Sequence, residues 1–471
     1  MDRGYTGVAV DRDGVMKAPS SRDKVMTMVN PATMNALSRT LLLLRDHVGP
    51  SADDASLMRA LTGVTIVVAG DRANLRVASA QHALVTAALL SARSGGQLFI
   101  DVPDVPLLGL QAPLTGDHLE AALLETLADV LPGGAAAGGH PKAPADLAIV
   151  LGESRWRGRA RRVLRVNGDA WAGAITDGGT GSRWKEWSSP FGALAAAGLA
   201  AGEAFKSAVA SLESYATEPR AFRELFAPST GAEVRLAPAG AMDAVADLGR
   251  FDCVSGGAII HGVMYALSRI RGVEGGARVI EPEATEATNL NRYALLRHSR
   301  LRRQKAEDLA DLDLGGLCVT PVVARYDGAL QAELGPPSNP VLVGVDDIPT
   351  RWTAQAAWPC WLGVGATTHY SAMASIHTPG LGCARCLHPT DDPGGGPIPT
   401  VAFVSHWAGL WLAAFFTRHR GGAIASPVRQ SVFMTSLRAE SPAALWWGPV
   451  PPRDDCPLSC RSVGEAATAQ R

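Results

Sequence analysis

The segment Arg278–Lys305, RVIEPEATEATNLNRYALLRHSRLRRQK, joins an apolar start, two carboxylates and a long basic stretch. The apolar start predicts a β-strand, and this strand ends in the carboxylates Glu281 and Glu283. Asn289 and Arg292 follow within the next nine residues. A second carboxylate suits a magnesium–phosphate centre, whereas amide, guanidinium and ammonium groups suit phosphoryl oxygens. The segment therefore predicts a site that cleaves a nucleoside triphosphate, rather than a nicotinamide dinucleotide site.

Two further stretches surround this segment and predict its fold. Upstream, Cys253–Gly262 (CVSGGAIIHG) is an apolar run that turns through glycines into a helical pattern. Downstream, Val341–Asp347 (VLVGVDD) is a second apolar strand that ends in acid. A strand, a glycine turn, a helix and an acid-ending strand form the first half of a dinucleotide-type βαβ unit, whose turn and helix N-terminus bind phosphate. The stretch Phe251–Arg351 therefore predicts a Rossmann-like α/β domain.

At these residues the sequence resembles the ThiF/MoeB adenylating family, which includes the ubiquitin-activating enzymes. The resemblance covers roughly residues 250–420 and rests on three motifs that agree in order and spacing. The family's Asp-x-Asp corresponds to Glu281-Pro-Glu283. Its Asn-Leu-x-Arg corresponds to Asn289-Leu290-Asn291-Arg292, with Lys305 thirteen residues further on. Its Asp-Asn-x-x-x-Arg corresponds to Asp346–Arg351. The family's Gly-x-Gly-x-x-Gly turn aligns with Ser255–Ile260, where only the middle glycine, Gly257, is kept.

The resemblance implies an ATP and Mg²⁺ site and a role for each matched residue. Glu281 would hold the ribose, Glu283 would lie near the metal and the phosphates, and Asp346 would ligate Mg²⁺. The implied catalytic residues are Asn289, Arg292, Lys305 and Asp346, of which the first three would grip the triphosphate. The implied cofactor-binding residues are Ser255, Gly256, Gly257, Ala258, Glu281, Glu283, Asn291, Lys305 and Asp346.

Near the start of the chain, Met34–Val48 (MNALSRTLLLLRDHV) has apolar residues at helical spacing and predicts an amphipathic helix. In the simplest interpretation this helix packs on the domain. In the resembled family, an N-terminal helix of the partner subunit supplies an arginine to the opposite ATP site. The resemblance implies that role for Arg39 or Arg45.

Four of the seven cysteines form two short-range pairs, Cys383-x-x-Cys386 and Cys456-x-x-x-Cys460. Four thiolates in such pairs suit a tetrahedral structural Zn²⁺, and the alternative is four reduced cysteines. Many ThiF/MoeB relatives carry a CxxC…CxxC zinc clamp at these places, although the second pair here is one residue wider. The other three thiols, Cys253, Cys318 and Cys360, are predicted to lie in the core. Thioester-forming relatives usually carry their cysteine after the first zinc pair, where residues 387–400 have none, so the sequence identifies no thioester cysteine. Either Cys360 or a zinc-pair thiol plays the part, or the acyl-adenylate passes straight to a thiol of a partner.

The first half of the chain repeats the order of the second. A strand at 63–70 leads into a helix ending near Ser94, and a second strand ends in Asp101; a third strand covers 146–151, and a long alanine-rich helix covers 190–212. This half lacks the chemistry, because Asp71 stands where phosphate would bind and no Asn-Leu-x-Arg follows Asp101. We therefore predict an α/β fold of two tandem Rossmann-like halves that form an intrachain pseudo-dimer. The predicted halves are 1–240, inactive, and 241–471, active with the zinc cysteines; two unrelated α/β domains are the alternative.

Charge and hydropathy limit the partners. The net charge is −1 and the pI about 6.8, which does not favour nucleic acid or membrane as a partner. The first residues carry charge throughout and do not resemble a secretory signal. The apolar stretch Val401–Phe416 contains His406 and is too short to span a bilayer, so it predicts a buried helix. The expected location is the cytoplasm.

The resemblance implies an ATP-dependent activating enzyme that adenylates the C-terminal glycine of a ubiquitin-like protein and passes it to a conjugating enzyme. The tandem arrangement looks most like the activating enzymes of bacterial ubiquitin-like (Bil-type) conjugation operons, often found in antiphage defence. The alternatives are a sulfur-carrier or peptide-modifying adenylating enzyme, and a nucleotide-binding scaffold without catalysis. Whether two chains form a homodimer stays open.

Overall fold

The computed structural model describes residues 30–134, 136–335, 337, 339–391, 398–423 and 429–460. The elements before residue 240 are α1 (Pro31–Ala36), α2 (Ser38–Arg45), α3 (Asp54–Gly63), β1 (Thr65–Ala69), α4 (Ala78–Arg93), β2 (Gln97–Asp101), α5 (Leu119–Ala128), β3 (Ala136–Gly138), β4 (Ala145–Leu151), β5 (Ala160–Gly168), β6 (Ala172–Asp177), α6 (Phe191–Val209), α7 (Pro219–Phe226) and β7 (Gly231–Arg235). The later elements are β8 (Asp247–Val254), α8 (Ala258–Leu267), β9 (Glu274–Ile280), α9 (Lys305–Ala310), β10 (Gly316–Val322), α10 (Gly328–Leu334), β11 (Val341–Val343), α11 (Ile348–Ala356), β12 (Leu362–Thr368), β13 (Ser371–His377), α12 (Ala384–Leu387), α13 (Ala402–Arg420), β14 (Ser431–Thr435) and β15 (Leu445–Gly448).

These strands form two mixed sheets with the same internal order. The first sheet runs β3-β2-β1-β4-β5-β6-β7, and the second runs β10-β9-β8-β11-β12-β13-β14-β15. In each sheet the first five strands are parallel and the rest antiparallel. The α/β prediction is confirmed, and the repeated strand order agrees with a tandem of two related halves. The chain changes sheet between Arg235 and Asp247, and the predicted boundary at 240 falls in that connection.

Helices cover both faces of the parallel part of the second sheet, with α8 and α13 on one face and α10, α11 and α12 on the other. In the first sheet α4 and α6 cover one face, and the buried side chains of the opposite face form a cluster with Trp156. In the antiparallel part of the first sheet a glycine allows close approach to a helix, because a Cβ on Gly173 of β6 would lie 2.1 Å from the Ala196 nitrogen of α6. Within the described residues, one helical stretch, Phe191–Tyr215, is long and apolar enough to cross a membrane. The apolar window of this stretch is 89% buried inside the protein. Its apolar surface is therefore covered by the protein's own core.

The two halves share one hydrophobic core, which continues from α6 into α13. A Cβ on Gly198 of α6 would lie 3.0 Å from the indole of Trp407 in α13, so the glycine makes room for the ring. The Nε2 atom of His406 lies 3.1 Å from the Leu194 carbonyl oxygen. The predicted buried helix at Val401–Phe416 is confirmed as part of α13.

Three stretches differ from their predictions. The single helix predicted over Met34–Val48 is two helices, because Leu37 (φ −92°, ψ 5°) interrupts it between α1 and α2. The composition of residues 133–145 (GGAAAGGHPKAPA) predicts a flexible loop, but this stretch contains β3, a short strand that pairs with β2 through its backbone. Residues 213–248 carry no repeat of either half and are predicted only to join the halves, but this stretch contains α7 and β7, the last strand of the first sheet. The apolar periodicity continues across Leu37, and the small side chains of β3 show no alternation, so local patterns could not reveal these features.

Candidate active site

A cleft of about 890 Å³ opens where the strand order of the second sheet reverses. At this point β8 lies between β9 and β11, and the loops after all three strands meet at their carboxyl ends. Open α/β sheets bind ligands at such switch points. The residues from the predicted site that line the cleft are Ser255, Gly257, Ala258, Glu281, Glu283, Asn289, Arg292, Lys305 and Asp346.

The turn between β8 and α8 keeps the shape of a glycine turn although its first residue is serine. Ser255 has φ +117°, a conformation that favours glycine. Its hydroxyl accepts a hydrogen bond from the Gly257 N–H at 2.8 Å. A Cβ on Gly256 would lie 3.1 Å from both Glu281 Cγ and Lys305 Cβ, so a side chain at 256 would crowd the site. The turn therefore brings its backbone close to the cleft, with one N–H already bonded to the serine.

Ile260 occupies the position of the family's third glycine, where close packing of helix and strand is expected. The glycine instead lies on the neighbouring strand connection. A Cβ on Gly344, directly after β11, would lie 3.0 Å from Ile260 Cγ1. The helix and the strand therefore still pack closely, but here the bulky residue is Ile260 on α8 and the glycine is Gly344 after β11.

Glu281 and Glu283 have different environments at the end of β9. Glu281 is 6% exposed, and its carboxylate accepts hydrogen bonds from the N–H groups of Gly256 (2.7 Å) and Glu283 (3.1 Å). These bonds fix the glycine turn against β9, and a carboxylate has further lone pairs for a ligand hydroxyl. The Glu283 side chain is 70% exposed and forms an ion pair with Lys305.

Lys305 is the first residue of α9, and its side chain is only 6% exposed. Burial would lower the pKa of Lys305, but the nearby Tyr293, Glu281 and Glu283 outweigh it and raise the pKa to about 12. The ammonium group therefore stays charged at neutral pH. Its nitrogen lies 5.8 Å from the centre of the Tyr293 ring, within cation–π range. Sequence reasoning did not single out Tyr293, although it directly follows Arg292.

The Asn-Leu-x-Arg segment divides into residues that face the cleft and one that lies behind it. Asn289 lines the cleft and accepts a bond from the Glu286 N–H at 2.9 Å, which fixes its side chain. Arg292 donates to the Thr288 carbonyl and to Asn291 Oδ1. The amide of Asn291 donates to Thr40 and Thr400 and does not line the cleft. Asn291, predicted to bind the cofactor directly, is instead placed where it supports Arg292.

Asp346 lines the cleft after β11, and Arg351 fixes the backbone beside it. The Arg351 guanidinium donates two bonds to the Val345 carbonyl, at 2.7 and 3.1 Å. Burial lowers the pKa of Arg351 to about 10, against the opposing effect of Asp346 and Asp347. Asp347 caps α11 by accepting from the Thr350 N–H at 2.8 Å. Both aspartates line the cleft, and Asp347 is the one whose carboxylate also caps a helix.

One residue of the first half also lines the cleft. Arg39, on α2, is placed there, whereas Arg45 bonds to the Ala52 carbonyl and to Asp54. Of the two arginines that the resemblance suggested, Arg39 is therefore the one that lines the cleft.

The four paired cysteines come together at the base of α12. Their sulfur atoms all lie within 4.8 Å of one another; Cys383 is 3.4 Å from Cys456, and Cys386 is 3.6 Å from Cys460. A tetrahedral Zn²⁺ with bonds of about 2.3 Å would place its sulfurs about 3.8 Å apart, so four thiolates in this arrangement fit zinc.

The other three cysteines were predicted to be buried, and this is confirmed for one of them and wrong for two. Cys253 is buried as expected, and burial raises the pKa of its thiol. Cys318 and Cys360, predicted as core residues, are exposed. Apolar neighbours along the sequence suggested burial, but Cys318 lies on β10, the edge strand of the second sheet, and Cys360 lies in the turn before β12.

The switch point of the first sheet is built differently. The connection from β1 to α4 runs through residues 70–77, and Asp71 in it bonds to the backbone and side chain of Asn74. Asp101, which corresponds to Glu281, accepts a bond from the Trp156 indole at 2.9 Å. The Trp156 indole therefore already donates to the carboxylate that stands where a nucleotide site would bind the ribose.

Comparisons with known proteins identify relatives of part of the chain. Residues 63–223 match the family model of the BilD N-terminal domain, so the match lies wholly in the first half. The uncharacterized protein y4jF of Sinorhizobium fredii is 27% identical over an alignment of 242 residues, in a match that covers 47% of this chain and 43% of that protein. The chain therefore spans less than half the length of this curated relative.

Several solved structures are also similar to this chain. The crystal structure of E. coli MccB with selenomethionine-labelled MccA matches at 13% identity and a TM-score of 0.37, over 63% of this chain and 97% of that one. The structure of E. coli MccB with succinimide matches at 16% identity and a TM-score of 0.37, over 44% of this chain and 66% of that one. The structure of PaaA matches at 13% identity and a TM-score of 0.32, over 40% and 69%.

Proposed function

We propose that this chain is an ATP-dependent adenylating enzyme. In the proposed reaction a carboxylate of the substrate attacks the α-phosphorus of ATP, which gives an acyl-adenylate and releases pyrophosphate. The observation that carries the proposal is the single cleft at the switch point of the second sheet. It joins the glycine turn, the buried acid Glu281, and the cations Arg39, Arg292 and Lys305.

The residues of the cleft suit this reaction by position and charge. A carboxylate is a weak nucleophile that is already ionised, so the reaction needs alignment and neutralisation of phosphate charge rather than a general base. Arg292 and Lys305 would bind the phosphoryl oxygens, with Arg39 reaching them from the first half. Asp346, with Glu283 nearby, would hold Mg²⁺, which supplies positive charge at the phosphates.

The proposed substrate is the C-terminal glycine of a ubiquitin-like protein, and the proposed acceptor is a conjugating enzyme. The motif resemblance and the match of the first half to the BilD N-terminal domain support this choice over sulfur-carrier synthesis. We place the enzyme in a bacterial ubiquitin-like conjugation system, with a role in antiphage defence as part of the proposal. The zinc cluster would then stabilise the active half.

A specific observation favours a second candidate, a nucleotide-binding scaffold without catalysis. The Gly257 N–H already donates a hydrogen bond to the Ser255 hydroxyl, and the Lys305 ammonium group forms an ion pair with Glu283. The Gly257 N–H would have to change partner before it could contact phosphate, and Lys305 would have to share its charge between Glu283 and the phosphate. A scaffold would bind ATP without cleaving it.

The deciding experiment measures pyrophosphate release from Mg-ATP with and without the ubiquitin-like protein encoded beside the gene. We expect release that depends on the partner, and mass spectrometry should show AMP on its C-terminal glycine. A partner that lacks this glycine and the Lys305→Ala enzyme are the controls, and both should release little pyrophosphate. ATP binding without release would favour the scaffold instead.

A further inference from the structure

The loop that carries Asn289 and Arg292 is held from the first half of the chain by a buried arginine. Arg93, in the last turn of α4, is 0% exposed. Its guanidinium donates to the carbonyl oxygens of Leu290 (2.6 Å), Ala294 (3.1 Å) and Leu296 (2.6 Å). These three carbonyls lie on both sides of Arg292, so one side chain fixes the backbone before and after the predicted phosphate contact.

A charge is costly to bury, and its burial is tolerated when hydrogen bonds satisfy it. The terminal nitrogens of Arg93 donate hydrogen bonds to backbone carbonyls of the other half, which lie up to 203 residues away in the sequence. A planar guanidinium can hold several carbonyls in one fixed geometry, which a lysine ammonium on a flexible stem cannot do equally well. The arrangement thus specifies the shape of the loop in addition to filling space.

Two more contacts from the first half hold the same loop. The Asp129 carbonyl accepts from the His298 N–H at 2.6 Å, and its carboxylate accepts from the Ser299 N–H at 2.8 Å. On the other side, the Thr40 hydroxyl accepts from the Asn291 amide at 3.0 Å. The first half therefore contacts residues 290–299, the segment that includes the predicted phosphate ligand Arg292, at three places.

We infer that the first half serves as a scaffold for the loop of the second half that carries Asn289 and Arg292. Arg93 is the main residue that positions this loop. This inference rests on the proposed function for its effect on catalysis, but the clamp itself is a property of the fold. Arg93 acts through the backbone of Leu290 and Leu296 on the placement of Asn289 and Arg292. The half that lacks the phosphate chemistry would thus set the geometry of the half that has it.

The test compares Arg93→Lys with a matched control, Arg269→Lys, in the full-length protein. Arg269 is also buried and also bridges the halves, because it donates to the carbonyls of Tyr265 (2.9 Å) and Ala112 (2.8 Å), but neither lies in the loop. Amide hydrogen exchange over residues 288–300 and the steady-state kinetics of pyrophosphate release are measured on both. Turnover is expressed per molecule able to bind Mg-ATP, which removes the effect of unfolded protein.

We expect Arg93→Lys to speed amide exchange in residues 288–300. It should also lower kcat by about ten- to a hundredfold, with a smaller change in the KM for ATP. The reason is that misplaced groups lose contact with the substrate mainly in the transition state. The control should keep both the exchange pattern of the loop and its kcat. Equal kcat in the two variants after normalisation would overturn the positioning role, and unchanged exchange over 288–300 would overturn the clamp.

If Arg93→Lys does not fold, Asp129→Ala, which removes the carboxylate that accepts from the Ser299 N–H, tests the same loop from its other end and should also speed exchange and lower kcat. If the wild-type protein releases no pyrophosphate with any partner, the proposed function fails. Hydrogen exchange still decides the clamp in that case, so the two failures are distinguishable.

Discussion

The ammonium group of Lys305 forms an ion pair with the carboxylate of Glu283 in the wall of the cleft. The lysine side chain is 6% exposed and the glutamate side chain 70% exposed, so the pair lies at the boundary between the protein and solvent. Both groups were expected to serve the phosphates or the metal. In the structure each neutralises the other, and phosphate binding by Lys305 would compete with this pair.

The first prediction concerns that competition. Glu283→Gln should lower the KM for ATP by about two- to fivefold, because a partly exposed ion pair contributes at most about 1 kcal/mol that the ligand no longer has to displace. Steady-state pyrophosphate release at varied ATP measures the change. Glu307→Gln, an exposed carboxylate on the same helix as Lys305, controls for loss of charge and should leave the KM unchanged. A higher Mg²⁺ requirement in Glu283→Gln would show instead that Glu283 is a metal ligand.

The second prediction concerns the turn at Ser255. Ser255→Gly should raise the free energy of unfolding by about 1 kcal/mol, because the relief of strain at positive φ exceeds the extra entropy of glycine in the unfolded chain. It should also free the Gly257 N–H for phosphate. Urea unfolding measures the stability. Ser268→Gly, at φ −62°, makes the same change without strain to relieve and should lower stability. A loss of stability in both variants would contradict the strain at Ser255.

The third prediction separates the two arginines of α2. Arg39→Ala should lower kcat for adenylation by at least about tenfold, because a cation that faces the phosphates is lost from a preorganised site. Arg45→Ala is the matched control and should behave like the wild type, since Arg45 pairs with the exposed Asp54 away from the cleft. Equal activity of the two variants would show that α2 contributes no charge to the reaction.

The fourth prediction concerns the cysteine cluster. The purified protein should contain about one zinc per chain by elemental analysis, and Cys386→Ser should lose it, because four thiolates are needed to close a structural site. Cys318→Ser, which changes an exposed thiol outside the cluster, should keep the metal. Zinc retained by Cys386→Ser, or absent from the wild type, would contradict the assignment.

Removal of the zinc should also weaken ATP binding. The Ala384 N–H next to Cys383 donates to Gln355 of α11 at 2.9 Å, and His388 Nε2 lies 3.1 Å from Arg351 Nη1. Arg351 in turn fixes the carbonyl before Asp346. Treatment with a zinc chelator should therefore raise the Kd for Mg-ATP, measured by calorimetry, before the protein unfolds. An unchanged Kd in the zinc-free, folded protein would show that the cluster and the cleft are independent.

The sequence alone predicted the α/β class, the order of the strands around Glu281 and the cleft residues Asn289, Arg292, Lys305 and Asp346. This was possible because loops that follow parallel strands meet at one edge of a sheet, so position along the chain already implies neighbourhood. Each cysteine pair followed from its short spacing, whereas the joining of the two pairs into one cluster was implied by the resemblance to the zinc clamp of the ThiF/MoeB family.

The tertiary structure decided what spacing along the chain cannot express. Arg93 meets the carbonyl of Leu290 from 197 residues away, and Arg39 rather than Arg45 reaches the cleft. Asn291 turns toward Thr40 because α2 packs behind its loop. Each of these outcomes depends on how the two halves pack against each other. Local sequence determined which chemical groups this protein carries near its switch point, and the packing between halves decided which of them face the cleft and which hold the others in place.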